Sequence, residues 1–216
     1  MVDYRALMWD EVADLGVLAR DLADHEFDEP SLCEGWKVRH IYGHMGFGHT
    51  TRMAPFLLKL AAYKGNIPKG SFELSQSFVD DWTPAQIVDF WDTVMVQQHP
   101  RRGIALLIKD HEGFLDHLIH NQDIRRPLGR PREIPEERLV AAMDVLPRIK
   151  TPLFATKPGV AGLKLVATDI DHAVGDGPAI EGPAEAIIMA AGGRSVAFAE
   201  LTGEGLDQLT DRILVS

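Results

Sequence analysis

The chain has 216 residues, 45% of them hydrophobic, a formal net charge of −10 and a single cysteine. That is enough for one domain or one plus a small appendage, and the acidic balance weighs against a nucleic-acid partner, because phosphate contacts need a basic face. No apolar run reaches the ~18 residues of a membrane span, the first dozen residues carry acids and do not read as a secretory signal, and one cysteine excludes an internal disulfide framework and fits the reducing cytoplasm.

Residues 3 to 24 read as an amphipathic helix, with Leu7, Val12, Leu15, Leu18 and Leu22 near helical spacing. Residues 25 to 35 hold Pro30, Ser31 and Gly35 without a period and read as a loop. A second helix runs from Trp36 or Lys37 to about Lys64, with a kink or break expected at Pro55. Gly43, Gly46 and Gly48 weaken it unless a close-packed neighbour explains them. Residues 67 to 82 read as a polar connection, Pro68 being taken as a stop. Thr83-Pro84 is an N-cap followed by proline at the first helical position, opening a helix to about Gln98. Residues 103 to 109 are a short apolar link or the first turns of the next helix.

The segment from 110 to 126 is the one on which the functional argument turns. Asp116 and His120 lie four residues apart on one helical face, a carboxylate and an imidazole one turn from each other. Such a pair can hold a divalent metal when a third ligand arrives from elsewhere. Asp123 continues the same side and is placed to orient His120 or to bond Arg125 or Arg126. Pro127 and Gly129 stop the helix. Residues 135 to 150 form another helix. The texture then changes: 151 to 162 is rich in Pro, Gly and Thr and marks a boundary. Residues 163 to 170 alternate like a strand, Gly175-Asp176-Gly177-Pro178 is a tight turn, and short helices follow near 184–191, 194–201 and 205–213. The expected organisation is a helical bundle over 1–155 and a small α+β segment over 156–216.

Of the nine histidines, His44 lies mid-helix on the face of Ile41 and Phe47 and should point into the bundle. His40, in the first turn, is expected to face solvent. His49 is five residues from His44, about 140° around the axis, and is a poor co-ligand. His44, Asp116 and His120 are therefore the candidate metal ligands. His117 with His120 is a rival pair, and the alternative to any metal is two helices with polar outer faces. Cys33, in a loop without a second cysteine, reads first as an ordinary half-buried thiol, with a reactive thiol or a thiolate ligand as the other readings. No phosphate loop, dinucleotide fingerprint or nucleophile elbow is present.

Two segments together resemble a known family. Pro30-Ser31-Leu32-Cys33-Glu34-Gly35-Trp36-Lys37-Val38-Arg39-His40-Ile41-Tyr42-Gly43-His44 is similar to the first motif of the mycothiol-dependent maleylpyruvate isomerases, a Pro-Ser-x-Cys-x-Gly-Trp-x-Val loop leading into a helix with a metal-binding histidine. Asp116-x-x-x-His120-Asn121-Gln122-Asp123-Ile124-Arg125-Arg126 is similar to the second, normally Glu-x-x-x-His followed by Gly-x-Asp-Ile-Arg-Arg. Asp116 stands where the family has Glu, and Asn121 where it has Gly.

The resemblance implies a mainly α protein, a DinB-like up-down four-helix bundle with a small α+β C-terminal segment. It implies a divalent ion, zinc first and nickel or another ion as alternatives, held by His44, Asp116 and His120. A mycothiol-type thiol is the implied cosubstrate and a small electrophile the partner, in a monomer or homodimer. The implied chemistry is thiol-dependent transfer or isomerisation. A metal-dependent hydrolase using metal-bound water and a non-catalytic ligand-binding bundle are the alternatives. Arg52, Arg125 and Arg126 are candidates to meet an acidic substrate, with helix capping as the other reading of the last two.

Overall fold

The computed structural model describes residues 2–64, 66–97, 106, 108–149 and 159–214. It is mainly helical, with one small sheet near the C-terminus. Contacts divide the chain into two compact units, Asp3–Pro131 and a second made of Val2 and the chain from Arg132 onward.

In the first unit, α1 (Tyr4–Asp21) starts on Asp3, whose side chain accepts the Ala6 N–H at 3.1 Å. Its buried face is Met8, Val12, Leu15, Leu18 and Ala19, close to the expected stripe, and it also includes the fully buried Glu11. The loop that follows returns on itself through a bridge between Pro30 and Lys37 and leads into α2 (Val38–Thr50). The expected long helix is divided at Thr51–Arg52, and α3 (Met53–Ala62) follows. Pro55 thereby falls in the first turn of α3, where a backbone N–H would have no intrahelical acceptor and its loss costs little.

Residues 67 to 82 differ most from expectation. They hold a helix, α4 (Ile67–Val79). Asn66 caps it by accepting the Lys69 N–H at 3.1 Å, and Pro68 occupies the first turn. A proline that reads as a stop for the preceding helix is here the start of the next. α4 packs on α2, and the glycines of α2 explain how. A Cβ on Gly43 would lie 2.5 Å from the Ser75 carbonyl oxygen and 2.7 Å from Val79 Cγ2. One on Gly46 would lie 2.7 Å from the Phe90 ring. Gly48 has nothing within 4 Å, so packing does not account for it.

The capping box at Thr83 forms as expected, with Thr83 N–H donating to Gln86 Oε1 at 2.8 Å and Gln86 N–H to Thr83 Oγ1 at 3.3 Å. α5 (Pro84–Phe90) continues into a π-helical turn, Trp91–Met95, which turns the buried Trp91 and Met95 inward. Residues 98–105 and 107, which take in most of the apolar link, lie outside the described residues. α6 (Asp110–Arg125) closes the unit, its Glu112 carboxylate accepting the Lys109 N–H at 3.2 Å. α6 packs on both α1 and α2. Their shared core holds Val12, Leu15, Tyr42, Met45, Trp91 and Ile124, with the Tyr42 hydroxyl donating to the Leu15 carbonyl at 3.1 Å.

In the second unit α7 (Glu136–Val145) runs into a 3-10 turn, Leu146–Arg148. α7 packs on α8 (Ala184–Ala191), so the composition change at 151–162 falls within this unit. β1 (Lys164–Ala167) is central in the sheet, antiparallel to β2 (Ala173–Val174) and parallel to β3 (Ala179–Gly182), with Leu165 opposite both Val174 and Ile180. Gly175 and Gly177, at φ of 84° and 125°, carry the crossover past the carbonyls of Leu163 and Gly162, where no side chain would fit. Ser195–Glu200 forms a 3-10 helix against α8, and α9 (Leu206–Leu214) follows. No helix among the described residues is long and apolar enough to cross a membrane.

Candidate metal centre

α6 is buried at every position from Glu112 to Ile124 except Asp116. A helix with polar residues and no water-facing stripe must satisfy those residues internally. His117, His120, Asn121 and Asp123 are all nine-tenths buried or more, and each has a named partner.

His44, Asp116 and His120 are brought together by α2 and α6, each offering a ligand atom within 4.8 Å of the others. His120 Nε2 lies 3.6 Å from Asp116 Oδ1, and His44 Nε2 lies 4.0 Å from Asp116 Oδ2. The two imidazole centroids are 5.0 Å apart at 69°. Exposure is graded across the group: side-chain accessibility is 26% at His44, 28% at Asp116 and 9% at His120. The cluster thus has a closed floor and an open side.

The remaining ring nitrogens are engaged from behind. His44 Nδ1 hydrogen-bonds with Ser75 Oγ of α4 at 3.2 Å, and Ser75 is fully buried. His120 Nδ1–H donates to Asp123 Oδ2 at 2.9 Å, so of the roles expected for Asp123 the structure supplies the orienting one. Engaging Nδ1 in this way presents Nε2 to the centre, which is the arrangement metal-binding histidines use. Two Nε2 donors and a carboxylate oxygen, backed by hydroxyl and carboxylate and open on one side, fit a divalent ion with a vacant position.

The electrostatics of the ion-free cluster follow from the same contacts. Burial disfavours charge on His120, yet the Asp116 carboxylate, the Asp123 hydrogen bond and the neighbouring Cys33 together raise its pKa to about 10.

The other histidines do different work. His40 is buried, contrary to expectation: its Nδ1 accepts the Lys37 N–H at 3.1 Å and its Nε2 meets Asp80 Oδ1 at 3.1 Å. The helix start recruits it, because first-turn N–H groups lack intrahelical acceptors. His117, the rival ligand, turns away from His120. Its Nδ1–H donates to the Gly113 carbonyl at 2.7 Å and its Nε2 meets His49 Nε2 at 3.1 Å. Burial holds the His117 pKa below the ordinary histidine range.

Arg125 donates through Nε to Asn121 Oδ1 at 2.7 Å, and Asn121 Nδ2 donates to Glu11 at 3.0 Å, which ties α6 to α1. Arg126 ends α6 as its C-cap, and Arg52 is exposed between α2 and α3. Sequence reasoning did not find Ser75 or the wall made by Trp36. The Trp36 ring is 5.1 Å from His44 and 6.3 Å from His120, with Phe72 of α4 5.6 Å beyond. Trp36 is itself part of the first motif, which was the available signal; nothing local marks Ser75.

The fold and this cluster define a helical bundle in which nitrogen and oxygen donors converge from two helices behind an aromatic wall. The family model described as mycothiol maleylpyruvate isomerase N-terminal domain matches residues 8–62, the stretch that contains the first motif and His44. Two solved structures, of a mycothiol-dependent maleylpyruvate isomerase and of a histidine-to-alanine mutant of it, share the fold. Each has a TM-score of 0.56 and 16% identity, covering 94% of this chain and 92% of theirs. No functionally curated protein matches the chain. The resemblance to the mycothiol-dependent maleylpyruvate isomerase family therefore stands on the N-terminal sequence and on a fold shared across nearly the whole chain.

Proposed function

We propose that the chain is a metal-dependent enzyme that uses a low-molecular-weight thiol of the mycothiol type for transfer to, or isomerisation of, a small electrophilic substrate. The observation that carries this is the convergence of His44, Asp116 and His120 on one open-sided point. The matched family model and the fold-related structures name the thiol. Zinc is the first expectation for two imidazoles and a carboxylate, with nickel next.

His44 and His120 would hold the ion through Nε2, and Asp116 through a carboxylate oxygen. A divalent ion held there supplies a Lewis-acid centre with net charge +1, which favours thiolate over thiol near neutral pH. Ser75 and Asp123 keep both imidazoles turned inward. The Trp36 wall excludes water from one side of the cluster, and the opening at Asp116 and His44 admits thiol and substrate. The catalytic unit is the bundle that holds His44, Asp116 and His120, within Asp3–Pro131, and the rest of the chain is an appended segment; the protein works in the cytoplasm as a monomer or homodimer.

Metal analysis of the purified protein and of His44→Ala and His120→Ala tests the ligand set: stoichiometric metal in the parent and loss in both variants is expected. Unchanged metal content in both variants would sink it. Turnover of an electrophile that requires added thiol separates transfer from hydrolysis, which would proceed on an activated ester without thiol.

A further inference from the structure

Cys33 is the only cysteine, and its place in the fold is specific. Its thiol donates to Asp123 Oδ2 at 3.2 Å, the same oxygen that accepts His120 Nδ1–H at 2.9 Å. Sγ is also 3.9 Å from His120 Nδ1. The three groups thus form a second cluster on the far side of the His120 ring from Asp116.

The loop is built to hold the thiol there. Leu32 N–H donates to the Asp123 backbone carbonyl at 3.0 Å, fastening the loop to α6 one residue before the cysteine. Cys33 N–H donates to Ser31 Oγ at 3.2 Å, and that hydroxyl donates to the Trp36 carbonyl at 2.9 Å. Trp36 N–H closes the turn on the Cys33 carbonyl at 2.9 Å. Side chain and backbone of the loop therefore meet the same residue of α6.

Asp123 is completely buried, and buried carboxylate oxygens are held by hydrogen-bond donors. Cys33 supplies one. We propose that Cys33 is a positioning residue, whose thiol holds the Asp123 carboxylate against Nδ1 of His120 and so fixes the direction in which that imidazole presents Nε2. This deepens the reading of His120 as a metal ligand and, for affinity, rests on it. The hydrogen-bond chain itself does not.

Cys33→Ala removes the donor, Cys33→Ser keeps one, and Cys33→Val fills the volume without one should the alanine variant not fold. The first readout is the water-exchange rate of the His120 Nδ1–H proton, measured by 15N-edited NMR on the metal-free protein. Exchange is expected to be at least about tenfold faster in Cys33→Ala or Cys33→Val and close to the parent rate in Cys33→Ser. The second is zinc affinity by competition with a chromophoric chelator. It is expected to fall about 10- to 100-fold without the donor, as when a hydrogen-bond partner of a liganding histidine is lost, and to return with serine. An unchanged exchange rate in the donor-free variant overturns the proposal. If the parent binds no zinc, the ligand reading fails while the exchange rate still decides the role of Cys33.

Discussion

Asp123 and Asp116 contact His120 on opposite ring nitrogens, Asp123 at 2.9 Å from Nδ1 and Asp116 at 3.6 Å from Nε2. One imidazole is thus gripped on one side and offered on the other. Replacing Asp123 by Asn keeps the shape and an acceptor oxygen but removes the charge. Zinc affinity is expected to fall about 10- to 100-fold, measured by chelator competition, with far-UV circular dichroism unchanged. Equal affinity in the variant would mean that Asp123 has no hold on the site.

Asp116 governs the charge of the same ring. Burial works against the imidazolium, and the Asp116 carboxylate is the largest influence in its favour. Asp116→Asn should therefore drop the pKa of His120 from about 10 toward the ordinary histidine range. An NMR titration of the His120 ring protons in metal-free protein reads this directly. A pKa that stays near 10 would assign the shift to Asp123 and Cys33 instead.

His40 gives the protein an acid sensitivity that does not involve the candidate centre. Its Nδ1 accepts the Lys37 N–H, so protonation there would break the bond that starts α2. Burial lowers its pKa, more than Asp80 raises it, while Lys37 and Arg39 add to the lowering. The unfolded chain, with a histidine pKa of about 6.5, then takes up the proton first. Stability is full above that pH and is lost as pH falls from about 6.5 toward the folded-state pKa, with a slope of up to one proton. His117 contributes in the same direction. His40→Asn, which retains an acceptor near Nδ1, should flatten the slope in urea unfolding below about pH 6.5 by removing the His40 share and leaving that of His117; His120, held up to about 10, contributes in the opposite direction and above that window. An identical slope would exclude His40 from this role.

Gly43 sets the separation of α2 and α4. The contact a Cβ would make is with the Ser75 backbone carbonyl, which has no flexible end to swing aside. Gly43→Ala is expected to destabilise the fold by about 1 to 3 kcal/mol, as overpacking does, and to lengthen the His44–Ser75 hydrogen bond. Gly48→Ala, where nothing lies within 4 Å, serves as the contrast and should stabilise α2 by up to about 1 kcal/mol. Chemical denaturation of both variants checks the pair.

How much of this was legible in the sequence depended on the range of the contact. Spacing along a single helix located Asp116, His120 and Asp123, because residues i, i+4 and i+7 share a face whatever surrounds them. The Thr83 cap and α1 were equally local. α4 was missed because Pro68 ends one helix and begins another with the same chemistry, and only the Asn66 cap separates the readings. His40 was misjudged because the first turn of a helix faces solvent only when no neighbour covers it. Cys33 read as an ordinary thiol because its partners lie in α6, far along the chain, and no periodic pattern joins a loop to a distant helix.

Asp116 is the one residue between Glu112 and Ile124 that α6 leaves partly uncovered. The floor of the cluster is therefore also the core of the bundle, and a substitution there is answered by stability before it is answered by chemistry. The rim is under no such obligation: Phe72 stands partly exposed beyond Trp36, with no load of packing on its outer side. Change costs least on that outer side, while the donors rooted in α6 can change only as fast as the fold permits.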